Sequence, residues 1–220
     1  MVTYFKIIST VGKVVFPSLL WNFNVNEKCI YLTFDDGPIP EITPWVLETL
    51  LHYNAKATFF CIGDNVTKHP EIFQMILRDG HTTGNHSHNH LDGWKTEGKT
   101  YVENVLKAEV VIEESLALLK SMPPSQSAKK YFRPPYGRIR PSQIKKLESL
   151  GYKIVMWDVI SGDYDQTRSP HTCIQDVIRF SGPGSILVLH DSLKSFKNLQ
   201  KILPEILKHY SEEGFEFKSL

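Results

Sequence analysis

The chain has 220 residues with 25 Lys and Arg against 24 Asp and Glu, a formal charge of +1, which removes any electrostatic reason to expect a nucleic-acid partner. A hydrophobic fraction of 41%, 22% charged residues and 13 each of Gly and Pro exclude disorder, collagen and disulfide scaffolds. A chain of this length buries about 70% of its unfolded surface, enough for one sizeable core without staples, and the three widely spaced cysteines, Cys29, Cys61 and Cys173, read as buried free thiols.

No uninterrupted apolar run is long enough to cross a bilayer, so no transmembrane segment is expected. Lys6 opens an apolar stretch that Lys13 interrupts, Val14 to Trp21 is short and contains Pro17, and no small-residue cleavage site follows. The segment therefore reads as part of the fold rather than as a signal peptide, with a cytoplasmic default.

Strand-length apolar runs then alternate with helical-period segments along the whole chain. Cys29 to Phe34 is a run of the kind buried on both faces, and Thr43 with Pro44 offers an N-cap and first helical position for a helix through Leu51. Ala57 to Cys61 is the next strand. Pro70 opens a helix with Ile72, Phe73, Ile76 and Leu77 on one face, which Gly80 stops before a short extended piece ending near Asn85. Val102, Leu106 and Val110 mark the longest helix, ending before Pro123 and Pro124. A strand is due at Tyr131 to Arg133, and a helix carrying Ile144, Leu147 and Leu150 closes at Gly151. Lys153 to Trp157 is a strand, Ile174, Val177 and Ile178 lie on a helix, and Ser185 to Leu189 is a strand. Pro204 should kink or restart the helix through Leu199 and Leu207, and Phe215 to Phe217 forms the last strand. About seven strands alternating with six helices imply one domain, residues 1–220, on a parallel sheet that is either a barrel or an open doubly wound sheet.

The unusual polar residues sit at strand C-terminal ends: Asp35 and Asp36, His86 and His90, Arg133, Asp158 and Asp163, and His190. In a parallel barrel those ends form one face, where active sites are built. Adjacent carboxylates repel when both ionise, so a cation or an Arg must hold Asp35 and Asp36 charged, and one binding metal while the other moves protons is the natural division. His86 and His90 are four residues apart, so on a helical turn their rings share a face. With a carboxylate they complete the three-ligand set of a catalytic zinc site, leaving His88 as a surface or supporting residue. Arg133 in Arg-Pro-Pro-Tyr-Gly would neutralise and orient the second aspartate, and the stiff loop could aim the Tyr136 N–H at a developing oxyanion. His190, opposite the metal group, reads as a general acid.

The ordered set Thr-Phe-Asp-Asp-Gly-Pro from Thr33, His-Ser-x-x-His from His86, Arg-Pro-Pro-Tyr-Gly from Arg133, Trp157-Asp158 with Asp163-Tyr164, and a strand ending in His190-Asp191 closely resembles the polysaccharide deacetylase family, also called NodB-homology or carbohydrate esterase family four. The resemblance runs from about residue 28 to 191 and implies an α/β fold, a distorted, partly open (β/α) barrel of seven or eight strands. It further implies that Asp36, His86 and His90 bind one divalent metal, zinc first, with cobalt, nickel or manganese as alternatives. Asp35 would be the general base braced by Arg133, His190 the general acid, and Asp163 the holder of Arg133 or of His190. Tyr164 stands where the family usually has Trp, and Val188 where an acetate-pocket Leu is usual, so the wall around the acyl group differs. Trp94, Tyr136, Trp157 and Tyr164 are candidate sugar-stacking surfaces, with Trp94 foremost because it sits in a polar loop just after the metal histidines. The implied reaction is metal-assisted hydrolysis of an N-acetyl group on a peptidoglycan or chitin-like oligosaccharide. An O-acetyl esterase and a carbohydrate-binding pseudoenzyme are the alternatives. Such glycans lie outside the cytoplasm, so this substrate requires an export route not visible in the sequence, and nothing in the sequence sets the oligomeric state.

Overall fold

The computed structural model describes residues 11–117 and 130–220. The readings of Lys6 and of a helix end before Pro123 fall outside them. The elements run β1 (Cys29–Asp35), α1 (Ile42–His52), β2 (Thr58–Cys61), α2 (Gly63–Lys68), α3 (Pro70–Arg78), β3 (Thr82–Asn85), α4 (Gly98–Ala117), β4 (Lys130–Phe132), a 3-10 turn (Pro135–Gly137), α5 (Pro141–Ser149), β5 (Tyr152–Ile154), β6 (Val159–Ile160), α6 (Pro170–Phe180), β7 (Ile186–His190), α7 (Phe196–Glu212) and β8 (Glu216–Lys218).

All strands pair in parallel, in the order β5-β4-β3-β2-β1-β7-β6, with β8 beside the start of β1. The sheet is a curled half-barrel covered by helices, which decides between the two architectures the alternation allowed. β1 is central because both its faces are apolar enough to bury. Its side chains alternate: Ile30, Leu32 and Phe34 join the large cluster with Leu187, Leu203 and Leu207, so Thr33 and Asp35 point the other way, into the half-barrel. There Phe60, Tyr131, Val155 and Ile186 fill the interior. A second outer cluster sets Phe132 and Ile154 against Tyr101, Val105, Ile144 and Leu147. The three cysteines are buried and free, and no helix among the described residues is long and apolar enough to cross a membrane.

The two ends of the sheet do not pair with each other, and the segment before β1 bridges the gap. Leu20 donates to Ile154 O at 2.9 Å and accepts from Met156 N at 2.7 Å, while Phe23 N donates to Gly184 O at 2.9 Å. Gly184 is required at that contact: its φ is +80° and a Cβ there would lie 2.0 Å from Phe23 O.

Four expectations change. The strand read at Lys153 to Trp157 stops at Ile154, and a separate β6 begins at Val159. Thr43 lies inside α1 rather than at its N-cap; its hydroxyl accepts from Ile39 N and donates to Asp191 Oδ2. The helix α7 runs unbroken through Pro204, because the carbonyl that loses its partner belongs to Gln200, which is exposed to water. Finally, α2 carries no apolar periodicity long enough to announce it. It follows β2 directly, and Gly63 at its start packs where a Cβ would sit 2.8 Å from Ala108 of α4.

Leu32→Ala in the centre of β1 should cost about 3 kcal/mol of stability; a lower urea midpoint with an unchanged slope is the expected readout.

Candidate active site

The ends of β1, β3, β4 and β7 and the loop after β6 bring the candidate residues to one place. Asp35 is the last residue of β1, and Asp36 follows with φ +87°, a left-handed turn that brings the second carboxylate onto the same mouth. His86 and His90 do not lie on a helical turn. They are held in an irregular loop with Ser87 and His90 at positive φ, which hydrogen bonds make possible. Ser87 N donates to Asn85 Oδ1, and His88 N and Asn89 N both donate to Asn104 Oδ1. The first free N–H groups of α2 complete the clamp: Gly63 N and Asp64 N donate to Ser87 O and His88 O, each at 3.0 Å. His88 is buried against Gly63 rather than exposed.

The result is a donor set. Asp36, His86 and His90 offer ligand atoms all within 4.8 Å of one another, with Asp36 Oδ1 3.3 Å from His90 Nε2 and 3.7 Å from His86 Nε2. A tetrahedral zinc site with bonds near 2.05 Å has ligand–ligand edges of about 3.3 Å. His86 Nδ1 contacts Arg133 O at 2.8 Å and His90 Nδ1 contacts Tyr136 Oη at 3.1 Å, so donation from Nδ1 leaves both Nε2 lone pairs aimed inward. Burial pushes the His86 imidazole down to about 4, which keeps it neutral as a ligand must be. Burial opposes ionisation of Asp36, but the His90, His190 and His86 imidazoles beside it hold its carboxyl well below the usual carboxylate range. Asp36 Oδ1 is buried without a hydrogen-bond partner. An anionic oxygen left unpartnered between two inward imidazole nitrogens fits a divalent cation.

Beside this set lie two ion pairs. Arg133 Nη1 donates to Asp35 Oδ1 at 2.6 Å and to Thr33 Oγ1 at 2.7 Å, and Nη2 to Met156 O at 3.1 Å, while the guanidinium stacks 4.1 Å from the Phe60 ring centroid. Asp163 pairs with His190, not Arg133: its Oδ1 is 2.7 Å from His190 Nδ1 and its Oδ2 accepts from His190 N at 2.8 Å. Burial alone would lower the His190 value, but Asp163 overrides it and raises the imidazole to about 9.

Tyr136 sits at φ +60° after two prolines and is 61% exposed. Tyr164 meets the His190 ring edge-on at 5.1 Å. Trp157 is half-buried and supports the turn beneath Gly137, where a Cβ would strike its ring. Val188 is fully buried in β7, on the side of the strand that His190 also takes. Trp94 is 58% exposed near Tyr136. Sequence reasoning gave no role to Asp191, whose carboxylate accepts from Gly37 N at 3.0 Å and from Thr43 Oγ1 at 2.6 Å, bracing the turn that carries Asp36. Burial pushes its carboxyl up to about 8. The signal available was its place directly after His190, at a strand end.

Residues 23–155 match the family model described as polysaccharide deacetylase. Over 186 residues, 82% of the chain, the sequence is 34% identical to a peptidoglycan-N-acetylglucosamine deacetylase of Bacillus cereus. Over 166 residues, 76% of the chain, it is 32% identical to a chitooligosaccharide deacetylase of Azorhizobium caulinodans. These matches span 64% of the first relative and 75% of the second. Among solved structures, a peptidoglycan N-acetylglucosamine deacetylase in complex with 4-naphthalen-1-yl-N-oxidanyl-benzamide superposes with a TM-score of 0.84 at 30% identity, over 95% of this chain and 94% of that one.

The raised His190 value carries a sign. The pair with Asp163 adds stability in full below the ordinary imidazole value of 6.5 and loses it as pH climbs through about 9. In metal-free protein, the His190 ring should titrate near pH 9 by NMR, and Asp163→Asn should lower that midpoint because the largest upward push is removed while burial, opposed only by Asp36 and Asp35, still acts downward. A wild-type midpoint near 6.5 would remove the pair as the cause.

Proposed function

The chain belongs to the polysaccharide deacetylase family, and from that membership we propose that it is a metal-dependent hydrolase removing N-linked acetyl groups from a glycan of N-acetylated sugars. One observation carries the reading: the Asp36, His86 and His90 donor set lies at the same mouth as an Arg-braced carboxylate and an Asp-braced imidazole. A divalent ion held by these three residues, zinc before cobalt, nickel or manganese, supplies Lewis acidity toward an acyl oxygen and a water of lowered pKa.

The remaining work falls to the chain. Arg133 pairs with Asp35 and orients it, and Asp35 takes a proton from the attacking water as the new C–O bond forms. The Tyr136 N–H, at the end of the stiff Pro134-Pro135 turn, faces the charge that develops on the acyl oxygen. Asp163 keeps the proton of His190 on Nδ1 and stabilises the imidazolium, so that Nε2 can donate to the amine as the C–N bond breaks. Acetate and a free amino sugar leave, and atoms balance with water as the only co-reactant. The names of the two curated relatives support peptidoglycan or chitin-like oligosaccharides as the substrate class.

The test is acetate release from N-acetylglucosamine oligomers and from peptidoglycan fragments by chelated protein, before and after Zn²⁺ is added. Release should require the metal. Asp36→Ala should lose bound metal and activity together, whereas Asp35→Asn should keep its metal and lose about 10²–10⁴-fold in kcat. A fully active Asp35→Asn enzyme would sink the assignment of the base. Release from O-acetylated glycans alone would give the esterase reading, and sugar binding without any release the non-catalytic one.

A further inference from the structure

The carboxylate that holds His190 must itself be held. β6 is two residues long, and its pairing with β7 ends where Ser161 N donates to Val188 O at 3.0 Å. Gly162 then turns the chain at φ +76°, so Asp163 lies in a loop with both carboxylate oxygens given to His190. The backbone of that loop is fixed from another element. Asn198 Nδ2, on the first turn of α7, donates to Asp163 O at 3.1 Å and reaches Asp165 O at 3.4 Å. Gln166 Nε2 donates to Lys194 O at 2.6 Å, a second tie between the loop after β6 and the segment that joins β7 to α7.

Asn198 is polar where the fold favours an apolar side chain. It is buried on the face of α7 that also carries Leu199, Ile202, Leu203 and Ile206, and an amide taken out of water costs free energy unless it is hydrogen-bonded. Both its donor contacts go to the Asp163 loop. The chain runs from His190 at the end of β7 straight into α7, so His190, Asp163 and Asn198 close a ring: the element that carries the imidazole also anchors the loop that braces it. We propose that Asn198 is a positioning residue for His190, locking the Asp163 loop onto β7 and α7 so that carboxylate and imidazole keep one geometry. That His190 delivers a proton rests on the function proposed above; the coupling of Asn198 to the pair does not.

Leu has nearly the same branched shape as Asn and suits this face better, so a residue that served packing alone would be replaced by it without loss. With zinc-loaded enzyme and the N-acetylglucosamine tetramer, Asn198→Leu should lower kcat about tenfold and leave KM within about twofold of wild type. Asn198→Asp, which keeps the shape and removes the donor, should do the same. In an Asp163→Asn background the brace is already gone, and Asn198→Leu should cost less than about twofold more. Lys201→Ala, on the exposed side of α7, should change neither constant. In metal-free protein the His190 Nδ1 proton held by Asp163 should give a downfield NMR signal protected from exchange, lost in Asn198→Leu while the urea midpoint shows the variant folded. A folded Asn198→Leu protein with wild-type kcat and an intact signal would overturn the proposal, as would the same fold-loss in kcat with and without Asp163. Loss of the signal in Asn198→Leu, in a protein whose wild type releases no acetate, would support the positioning role and reject the hydrolase.

Discussion

A guanidinium with no exposed surface lies at the centre of the half-barrel, and the site around it depends on its being matched. Removing such an ion from water costs several kcal/mol, which only close partners offset. Arg133 has them: Asp35 from β1, Thr33 beneath it, the carbonyls of Val155 and Met156 after β5, and the face of Phe60 from β2. Burial pulls the Arg133 value down while Asp35 pushes it up, so the carboxylate offsets part of the cost of burying the cation. The same residue's carbonyl orients His86. One side chain and its own backbone thus couple the Asp35 carboxylate to the His86 imidazole, and moving β4 would disturb both.

Charge is apportioned around that centre by pairing. Asp35 has Arg133, Asp163 has His190 and Asp191 has Thr43 and the Gly37 N–H, while Asp36 Oδ1 alone has no hydrogen-bond donor. Four carboxylates this close cannot all ionise without compensation. Burial pushes Asp191 up, a direction that relieves Asp36 of a neighbouring negative charge. The unmatched oxygen is the one flanked by two imidazole nitrogens, which is why the donor set fits a cation and the neighbouring pairs do not.

The alternation of apolar runs and helical periods made the parallel sheet legible, and the clustering of Asp, His and Arg at strand ends located the mouth. Both signals are local and repeat along the chain. Other features were hidden because they are decided by distant partners. Six residues of α2 contain too few apolar positions to show a period, yet their N–H groups hold the histidine loop and Asn65 Nδ2 holds Asp36 O at 2.7 Å. The four-residue spacing of His86 and His90 suggested a helical turn. The same convergence is reached by a loop with Ser87 and His90 in left-handed conformation, in which Ser87 N is tied to Asn85 and the intervening His88 N and Asn89 N to Asn104. The strand after Gly151 was read too long because Val155 and Met156 are apolar; they are buried as acceptors for Arg133 and neighbours of Leu20, not as strand.

By itself the sequence determined the strand–helix alternation, the burial of Cys29 to Phe34 on both faces, the gathering of Asp, His and Arg at strand ends and the family they resemble, because period and strand-end chemistry are written in short stretches. Tertiary structure alone decided that the sheet stays a half-barrel with residues 20–23 across its gap, that Asp163 takes His190 rather than Arg133, and that Asp191 braces the turn of Asp36. It also decided which aromatics stay exposed. Those outcomes depend on distances between residues far apart in the chain, such as Asp163 and His190 or Trp94 and Arg138, and no local pattern encodes such a distance.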